Sequence, residues 1–219
     1  MDRRALIVLG GMWHDFEGFK IHHESLLEAE GWQVEATYDL ERLTRLKEDG
    51  VGLVVSHTCF SKHREGENDT GPELMTSSQV TGLTAWVRGG GALLGTHSAT
   101  VLGSSDARLG VLMGAEFVSH PEQFSFPIYP MHSAHPIMAG IEAFSVHDEF
   151  YIQHLLAPVD ILMVAMDRGV AYPMAWSKHE GAGRVAHLSM GHSPLIWSVP
   201  MYQKLFTQAA RWTTLPAGI

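Results

Sequence analysis

The fold is decided by the stretch Gly89-Gly-Gly-Ala-Leu-Leu-Gly-Thr-His97-Ser-Ala-Thr100. Its apolar residues 92–94 predict a short buried strand, and the glycine that follows predicts a tight turn that carries His97. Open α/β sheets present a reactive side chain in this way, on a turn at the carboxyl edge of the sheet. In the nucleophile-elbow form of the turn that residue is serine or cysteine, so a histidine here indicates a different chemistry.

Similar apolar runs alternate with helical patterns through the first half of the chain. Buried strands are predicted at 6–9, 51–55 and 92–94, and an alternating strand at 33–38. Helices are predicted at 18–30, after the N-cap Asp39, and from the capping-box pair Thr70 and Glu73 to Arg88. Regular alternation with short connections favours parallel strands covered by helices on both faces. We therefore expect an α/β fold with a mostly parallel central sheet.

The second half of the chain is less regular. Residues 117–151 are rich in proline and histidine and have a poor helical period, so we expect an irregular insertion with one or two strands, at 126–129 and 145–147. A short helix at 108–113, strands at 161–165, 174–176 and 184–189, and a closing amphipathic helix complete the pattern. The expected organisation is a single domain over residues 1–219 with that insertion.

The composition excludes several classes of partner. The 219 residues carry 15 Lys and Arg against 24 Asp and Glu, a formal net charge of −9, which argues against nucleic acid or an anionic membrane as the main partner. The single cysteine, Cys59, fits a reducing compartment, and with no signal peptide or membrane span evident we expect a cytoplasmic protein. The glycines at 89–91 precede a strand instead of following one, so no nucleotide cofactor is expected.

Histidine is unusually frequent, with 14 residues. Four histidines lie just past the carboxyl ends of predicted strands, and these ends converge on one crevice in an open parallel sheet: His14, His57, His97 and His192. They suit either a divalent metal such as Zn or Mn or general acid–base chemistry near neutral pH. The plainer interpretation of each one is a loop histidine that only caps or packs.

A metal site of this kind also favours a carboxylate, which Asp15, Asp148 or Glu149 could supply. Asp148 and Glu149 are adjacent, and because neighbouring residues of a strand face opposite ways, only one is expected to point inward. We favour Glu149, as a general acid or base in an aromatic setting. The competing interpretation is a solvated acidic turn.

At these residues the chain resembles the ThuA-like, or trehalose-utilisation, family. The matching pieces are Leu9-Gly-Gly-Met-Trp-His14-Asp-Phe16, Gly89 to Ser98, Met113-Gly-Ala-Glu-Phe117, His120-Pro121, His135-Pro-Ile137, Asp148-Glu-Phe-Tyr151, Pro173-Met-Ala-Trp176, Gly181-Ala-Gly-Arg-Val185 and Gly191-His192. The resemblance covers essentially the whole chain.

This resemblance implies a flavodoxin-like three-layer sandwich, as in class I glutamine amidotransferases. In that comparison the elbow cysteine falls at His97 and the amidotransferase histidine at His192. Without a thiol at the elbow, glutamine hydrolysis through a thioester is not available. Family context implies bacterial metabolism of trehalose or related disaccharides and their 3-keto forms.

We therefore expect a sugar-processing enzyme without amidotransferase activity. The predicted catalytic residues are His97, Glu149 and His192; the predicted substrate-binding residues are His14, Asp15, His120, Tyr151 and Trp176; and the predicted metal ligands are His14, His57, His97 and His192. The alternatives are a non-catalytic carbohydrate-binding or regulatory protein, and a metal-dependent hydrolase of a non-sugar substrate. The expected ligand is a small carbohydrate, and the sequence leaves room for a homo-oligomer.

Overall fold

A nine-stranded sheet organises the part of the chain that the structure describes, residues 3–61 and 74–215 of a computed structural model. The strands in chain order are β1 (Arg4–Gly11), β2 (Gln33–Thr37), β3 (Leu53–Cys59), β4 (Ala92–Thr96), β5 (Ala115–Ser119), β6 (Phe124–Pro130), β7 (Phe144–Asp148), β8 (Ile152–Leu155), β9 (Asp160–Asp167), β10 (Val170–Glu180) and β11 (Gly183–Leu188). The order across the main sheet is β2-β1-β3-β4-β11-β10-β9-β6-β7, and β5 pairs separately with β8.

The main sheet has two halves of different character. Strands β2, β1, β3, β4 and β11 are parallel to one another, and their order is that of a flavodoxin-like doubly wound sheet. Each of β10, β9, β6 and β7 is antiparallel to its neighbour. The α/β prediction is confirmed, and the sheet is more mixed than expected.

Side chains cap the N-termini of the first two helices, through Asp15 and Thr76. The helices are α1 (Phe16–Ala29), α2 (Ser77–Arg88), α3 (Arg108–Met113), α4 (Pro194–Trp197) and α5 (Pro200–Thr213), with 3-10 turns at Leu40–Thr44, His97–Thr100 and Pro136–Met138. Asp39 caps its short helix as predicted. The capping box of α2 is Thr76 with Gln79, whose side chains bond each other's backbone N–H. The predicted pair, Thr70 and Glu73, lies outside the described residues.

The segment 117–151 is more regular than the sequence suggested. It contains β6 and β7, which were predicted, together with most of β5, which was not. Two prolines in β6 obscured its alternation, yet Phe126 and Ile128 are buried at period two between exposed neighbours. The two expected strands are therefore present, and the segment begins with part of a further strand that was not expected.

Alternate residues of the parallel strands pack into two separate hydrophobic cores, one on each face of the sheet. Ile7 and Leu9 of β1 pack with α1 and α5, through residues such as Phe19. Leu6 and Val8 pack with α2 and with the turn that follows β2. The strands are therefore buried on both sides, which explains their continuous apolar runs. Among the helices of the described segments, none has the length and apolar character needed to cross a bilayer.

Candidate functional site

The turn after β4 has the strained geometry of an elbow. His97 is fully buried, begins a 3-10 turn, and has a φ of 44°. A positive φ is uncommon for any residue other than glycine, and the nucleophile of an α/β elbow occupies a turn of this strained kind. The predicted elbow is therefore present, with an imidazole at its tip.

Three more side chains meet His97 at the carboxyl edge of the sheet. His14 follows β1, Glu149 follows β7, and His192 follows β11. One ligand-type atom from each of the four residues lies within 4.8 Å of the other three. We call these four residues, His14, His97, Glu149 and His192, the quartet. The edge on which the sequence predicted convergence does bring distant residues together.

Backbone carbonyls set the tautomers of two quartet histidines. His14 Nδ1 lies 2.9 Å from the Met12 carbonyl oxygen, and His97 Nδ1 lies 2.8 Å from that of Ser189. A carbonyl only accepts, so each Nδ1 carries the proton and donates it. Each Nε2 then keeps a lone pair, and both Nε2 atoms are buried without a hydrogen-bond partner.

The carboxylate of Glu149 lies among these lone pairs. Its Oε2 is 3.3 Å from His97 Nε2 and 3.3 Å from His192 Nδ1. Burial acts to raise the pKa of Glu149, but the contacts with His192 and His97 outweigh it and hold the pKa well below its ordinary value. Burial, followed by the neighbouring His97, lowers the pKa of His14 to about 3. The quartet thus combines an ionised carboxylate with a neutral His14 at neutral pH.

His192 titrates in the opposite sense to His14. Burial acts to lower its pKa, but the hydrogen bond and charge of Glu149 raise the pKa above the ordinary histidine value. Among the described residues, no lysine or arginine forms an ion pair with Glu149, whose pairs are all with histidines. The positive charge that this carboxylate attracts has to come from a histidine proton or from a bound cation.

A buried carboxylate behind the quartet joins two of its members. Asp148 is fully buried, and its Oδ1 accepts from the backbone N–H groups of Glu149 at 2.9 Å and His192 at 3.3 Å. Its Oδ2 accepts from Gly191 N–H at 2.7 Å. Asp148 therefore ties the end of β7 to the loop after β11. The sequence offered it as a candidate ligand, and the structure places it as the support of two quartet residues.

The quartet opens into a cavity of about 580 Å³. Its lining includes His14, Glu149 and His192, the aromatic side chains Trp13, Phe117 and Tyr151, and His120. The Tyr151 ring lies 4.2 Å from that of His97 and stacks at 5.5 Å on that of His120. Cys59 also lines the cavity, but burial raises the pKa of its thiol to about 12, so it is a poor nucleophile.

Three predicted site residues lie elsewhere, and Trp176 is the first. Its ring is fully buried in the protein interior, its Nε1 donates to the Met113 carbonyl, and it stacks on His187. It is not available as a platform for a sugar, which corrects the predicted role. Asp15 caps α1 by accepting from Gly18 N–H and does not line the cavity.

His57 lies next to the quartet but is not one of its members. The predicted strand ended at residue 55, whereas β3 continues to Cys59, so His57 lies within the strand opposite Leu9. Its ring stacks on Phe19 at 3.7 Å, and its Nδ1 bonds the Thr96 hydroxyl. Glu149 takes the place in the quartet that the sequence assigned to His57.

Comparison with known proteins identifies the family of the chain. The family model for ThuA, described as trehalose utilisation, matches residues 4–213. The chain belongs to the ThuA family. All four residues of the quartet lie in the ThuA-like motifs that the sequence showed. No curated protein matches the chain by sequence.

Solved structures share the fold of this ThuA-family chain. A ThuA-like protein from Parabacteroides merdae has a TM-score of 0.77 at 16% identity, over 98% of this chain and 90% of that one. A second, from Bacteroides uniformis, has a TM-score of 0.71 at 15% identity, over 96% and 91%. A cold-adapted beta-galactosidase from Rahnella has a TM-score of 0.69 at 15% identity, covering all of this chain and 32% of its own. Identities this low show the fold alone.

Proposed function

We propose that this ThuA-family chain is a sugar-processing enzyme whose quartet holds a divalent metal ion, Zn or Mn. The observation that supports it is the convergence of buried lone-pair nitrogens on one carboxylate. His14 Nε2 and His97 Nε2 are buried acceptors without a donor, and the Glu149 carboxylate and His192 Nδ1 lie against them. Leaving such acceptors without a donor or cation is costly.

The surroundings of the quartet also fit a metal. Histidines that bind metals usually donate their other N–H to a carbonyl or carboxylate, which fixes the ring and the tautomer. His14 and His97 do this through Met12 and Ser189. Imidazole and carboxylate ligands suit Zn and the neighbouring transition metals. Two acidic residues, Asp148 and Glu149, lie in or against the quartet, and a divalent cation would balance their charge.

The metal would polarise a carbonyl oxygen or activate a water molecule. The chain's own residues would orient the sugar. His120 Nδ1 bonds the Pro121 carbonyl, which leaves Nε2 as an acceptor 3.8 Å from Glu149 Oε2 on the cavity wall. An acceptor at this position could receive a hydrogen bond from a sugar hydroxyl, which supports the substrate-binding role that we propose for His120. A 3-keto disaccharide is the substrate class that family context favours.

The test is the metal content and activity of His97→Ala. We expect elemental analysis to find about one Zn or Mn in the wild-type chain and much less in the variant, with activity on 3-keto disaccharides lost alongside. His154→Ala is the matched control, since His154 is an exposed histidine paired with Glu116 on the small sheet. Full metal content and full activity in His97→Ala would refute the proposal.

A second candidate is a non-catalytic carbohydrate-binding protein. It is favoured by the elbow itself, which keeps the strained turn but carries an imidazole in place of a thiol. Calorimetric titration separates the two candidates. Sugar binding without turnover of any 3-keto sugar by the metal-loaded chain would favour the binding protein.

The proposal extends to the setting of the protein. We place it in the cytoplasm, on its single cysteine, and give it a small carbohydrate ligand instead of nucleic acid or membrane, on its net charge of −9. The flavodoxin-like order of the parallel strands, with a core on each face, supports the three-layer sandwich. A homo-oligomer stays a prediction that light scattering can test.

A further inference from the structure

Trp13 is an unusual residue at the mouth of the cavity. Its side chain is 55% exposed, although large aromatic residues are usually buried. Its backbone has a φ of 73°, a conformation that costs free energy for a bulky residue. Exposure of a large ring and a positive φ are each unfavourable for a bulky residue in a folded chain. Such a combination next to a polar site points to a role in binding.

The backbone on both sides of Trp13 is fixed. Met12 N–H donates to the Cys59 carbonyl at 3.0 Å, and His14 Nδ1 donates back to the Met12 carbonyl at 2.9 Å. Asp15 then caps α1. Trp13 is therefore presented on a rigid turn, directly beside a quartet residue. A rigid aromatic surface loses little conformational entropy when a ligand binds to it.

The cavity has the chemistry of a sugar site. Its volume of about 580 Å³ lies in the range of small-molecule pockets. The rings of Trp13, Phe117 and Tyr151 provide flat apolar surface, and Glu149 and His120 provide hydrogen-bond acceptors. A pyranose ring matches this pairing, because it has an apolar C–H face and a rim of hydroxyl donors.

The charge of the cavity limits the class of sugar. Among the lining residues that the structure describes there is no lysine or arginine. A phosphate on a ring that stacks on Trp13 would find no basic side chain among these lining residues to pair with.

We propose that Trp13 is the stacking platform for the apolar face of an uncharged pyranose ring, whose hydroxyl or keto edge points toward the quartet. This rests on the proposed function, since it places the same ligand in the same cavity. It adds the residue that selects the ligand and the exclusion of phosphorylated sugars.

The test is calorimetric titration of metal-saturated protein with trehalose, glucose and glucose 6-phosphate. We expect Trp13→Ala to weaken trehalose binding by about tenfold or more, and Trp13→Phe, which keeps a flat ring, to restore most of the loss. Tyr129→Ala is the matched control, since Tyr129 is an exposed aromatic residue that does not line the cavity. It should bind trehalose as the wild type does. Glucose should bind more tightly than glucose 6-phosphate.

Metal content separates this inference from the proposed function. Trp13→Ala should keep its full complement of metal while losing trehalose. Any of three results would overturn the proposed role of Trp13. These are unchanged trehalose binding in Trp13→Ala, tighter binding of glucose 6-phosphate than of glucose, and a wild-type chain that binds none of the three sugars. If the wild type still contains metal when one of these results is found, the proposed metal centre is retained and only the role of Trp13 is rejected.

Discussion

Asp148→Asn is the substitution that most directly tests how the quartet is held. The carboxylate receives three backbone N–H groups, two on Oδ1 and one on Oδ2. An asparagine of the same shape has one oxygen and one NH2, so at least one buried N–H would face another donor. An unsatisfied buried group costs about 1–3 kcal/mol, and the bonds that remain lose the strength of a charged acceptor. We expect the free energy of unfolding to fall by about 2–4 kcal/mol.

Thermal unfolding in the presence of a chelator measures this loss without the stabilising effect of a metal. For a chain of this size about 1 kcal/mol corresponds to roughly 2–4 °C, so Tm should fall by at least about 4 °C. The control is Asp167→Asn, whose carboxylate is 41% exposed and pairs only with the neighbouring Arg168 in the described part of the chain. Its effect should stay within about 0.5 kcal/mol.

Metal affinity provides the second measurement on Asp148→Asn. Groups that orient ligands typically change metal affinity by about 10–100-fold when they are replaced. We expect a decrease of that size, since the backbone at Glu149 and at His192 would lose its common anchor. A variant with the wild-type Tm and the wild-type metal affinity would show that Asp148 does not hold the quartet, and the reasoning would fail.

Three further predictions follow from single features of the structure. Zn or Mn at about 100 times its Kd should stabilise the wild type by about 2.7 kcal/mol, measured as a rise in Tm, and should not stabilise His97→Ala. Burial lowers the pKa of His23 to about 3, so the folded protein keeps this side chain neutral. Since the unfolded chain takes up a proton there below about pH 6.5, stability is lost as pH falls below 6.5. Between pH 7 and pH 5 that loss is about 2 kcal/mol, and urea unfolding of His23→Gln should show a correspondingly flatter pH dependence. In Gly11→Ala the new Cβ would lie on the Cys59 carbonyl, whereas in Gly90→Ala, which has a similar positive φ, it would meet open space. The first variant should unfold at a clearly lower urea concentration than the second, and equal midpoints would show that the contact is relieved without cost.

The parallel half of the fold was predictable because each of its strands is marked by a pattern of neighbouring residues in the sequence. Strands buried on both faces need continuous apolar runs, and the runs at residues 6–9 and 92–94 lie within β1 and β4. The elbow at His97 follows from the glycine and polar residues after such a run. The antiparallel half was harder, because prolines interrupt β6 and because edge strands such as β7 carry only a weak alternating pattern.

The errors in the predicted site have identifiable causes. His57 was assigned to the crevice because its strand was ended four residues early. Trp176 could not be separated from a surface platform, since a buried tryptophan and a binding tryptophan look alike in a single sequence. Glu149 was favoured over Asp148 as the single inward carboxylate. The structure directs Glu149 into the quartet but also buries Asp148 completely, so the expectation that only one of the two points inward is wrong. The supporting role of Asp148 could not be predicted, because it depends on backbone N–H groups, whose positions a sequence does not show.

The tie that Asp148 makes across the chain has a consequence for folding. It connects the end of β7 with residues that follow β11, more than 40 positions later. The quartet itself extends from residue 14 to residue 192. Contacts of such long sequence separation form late, because the intervening chain has to be ordered first. A partly synthesised chain that has not yet reached Gly191 cannot complete the site. If the quartet holds the proposed metal, binding of that ion at full affinity would therefore indicate that the fold is complete.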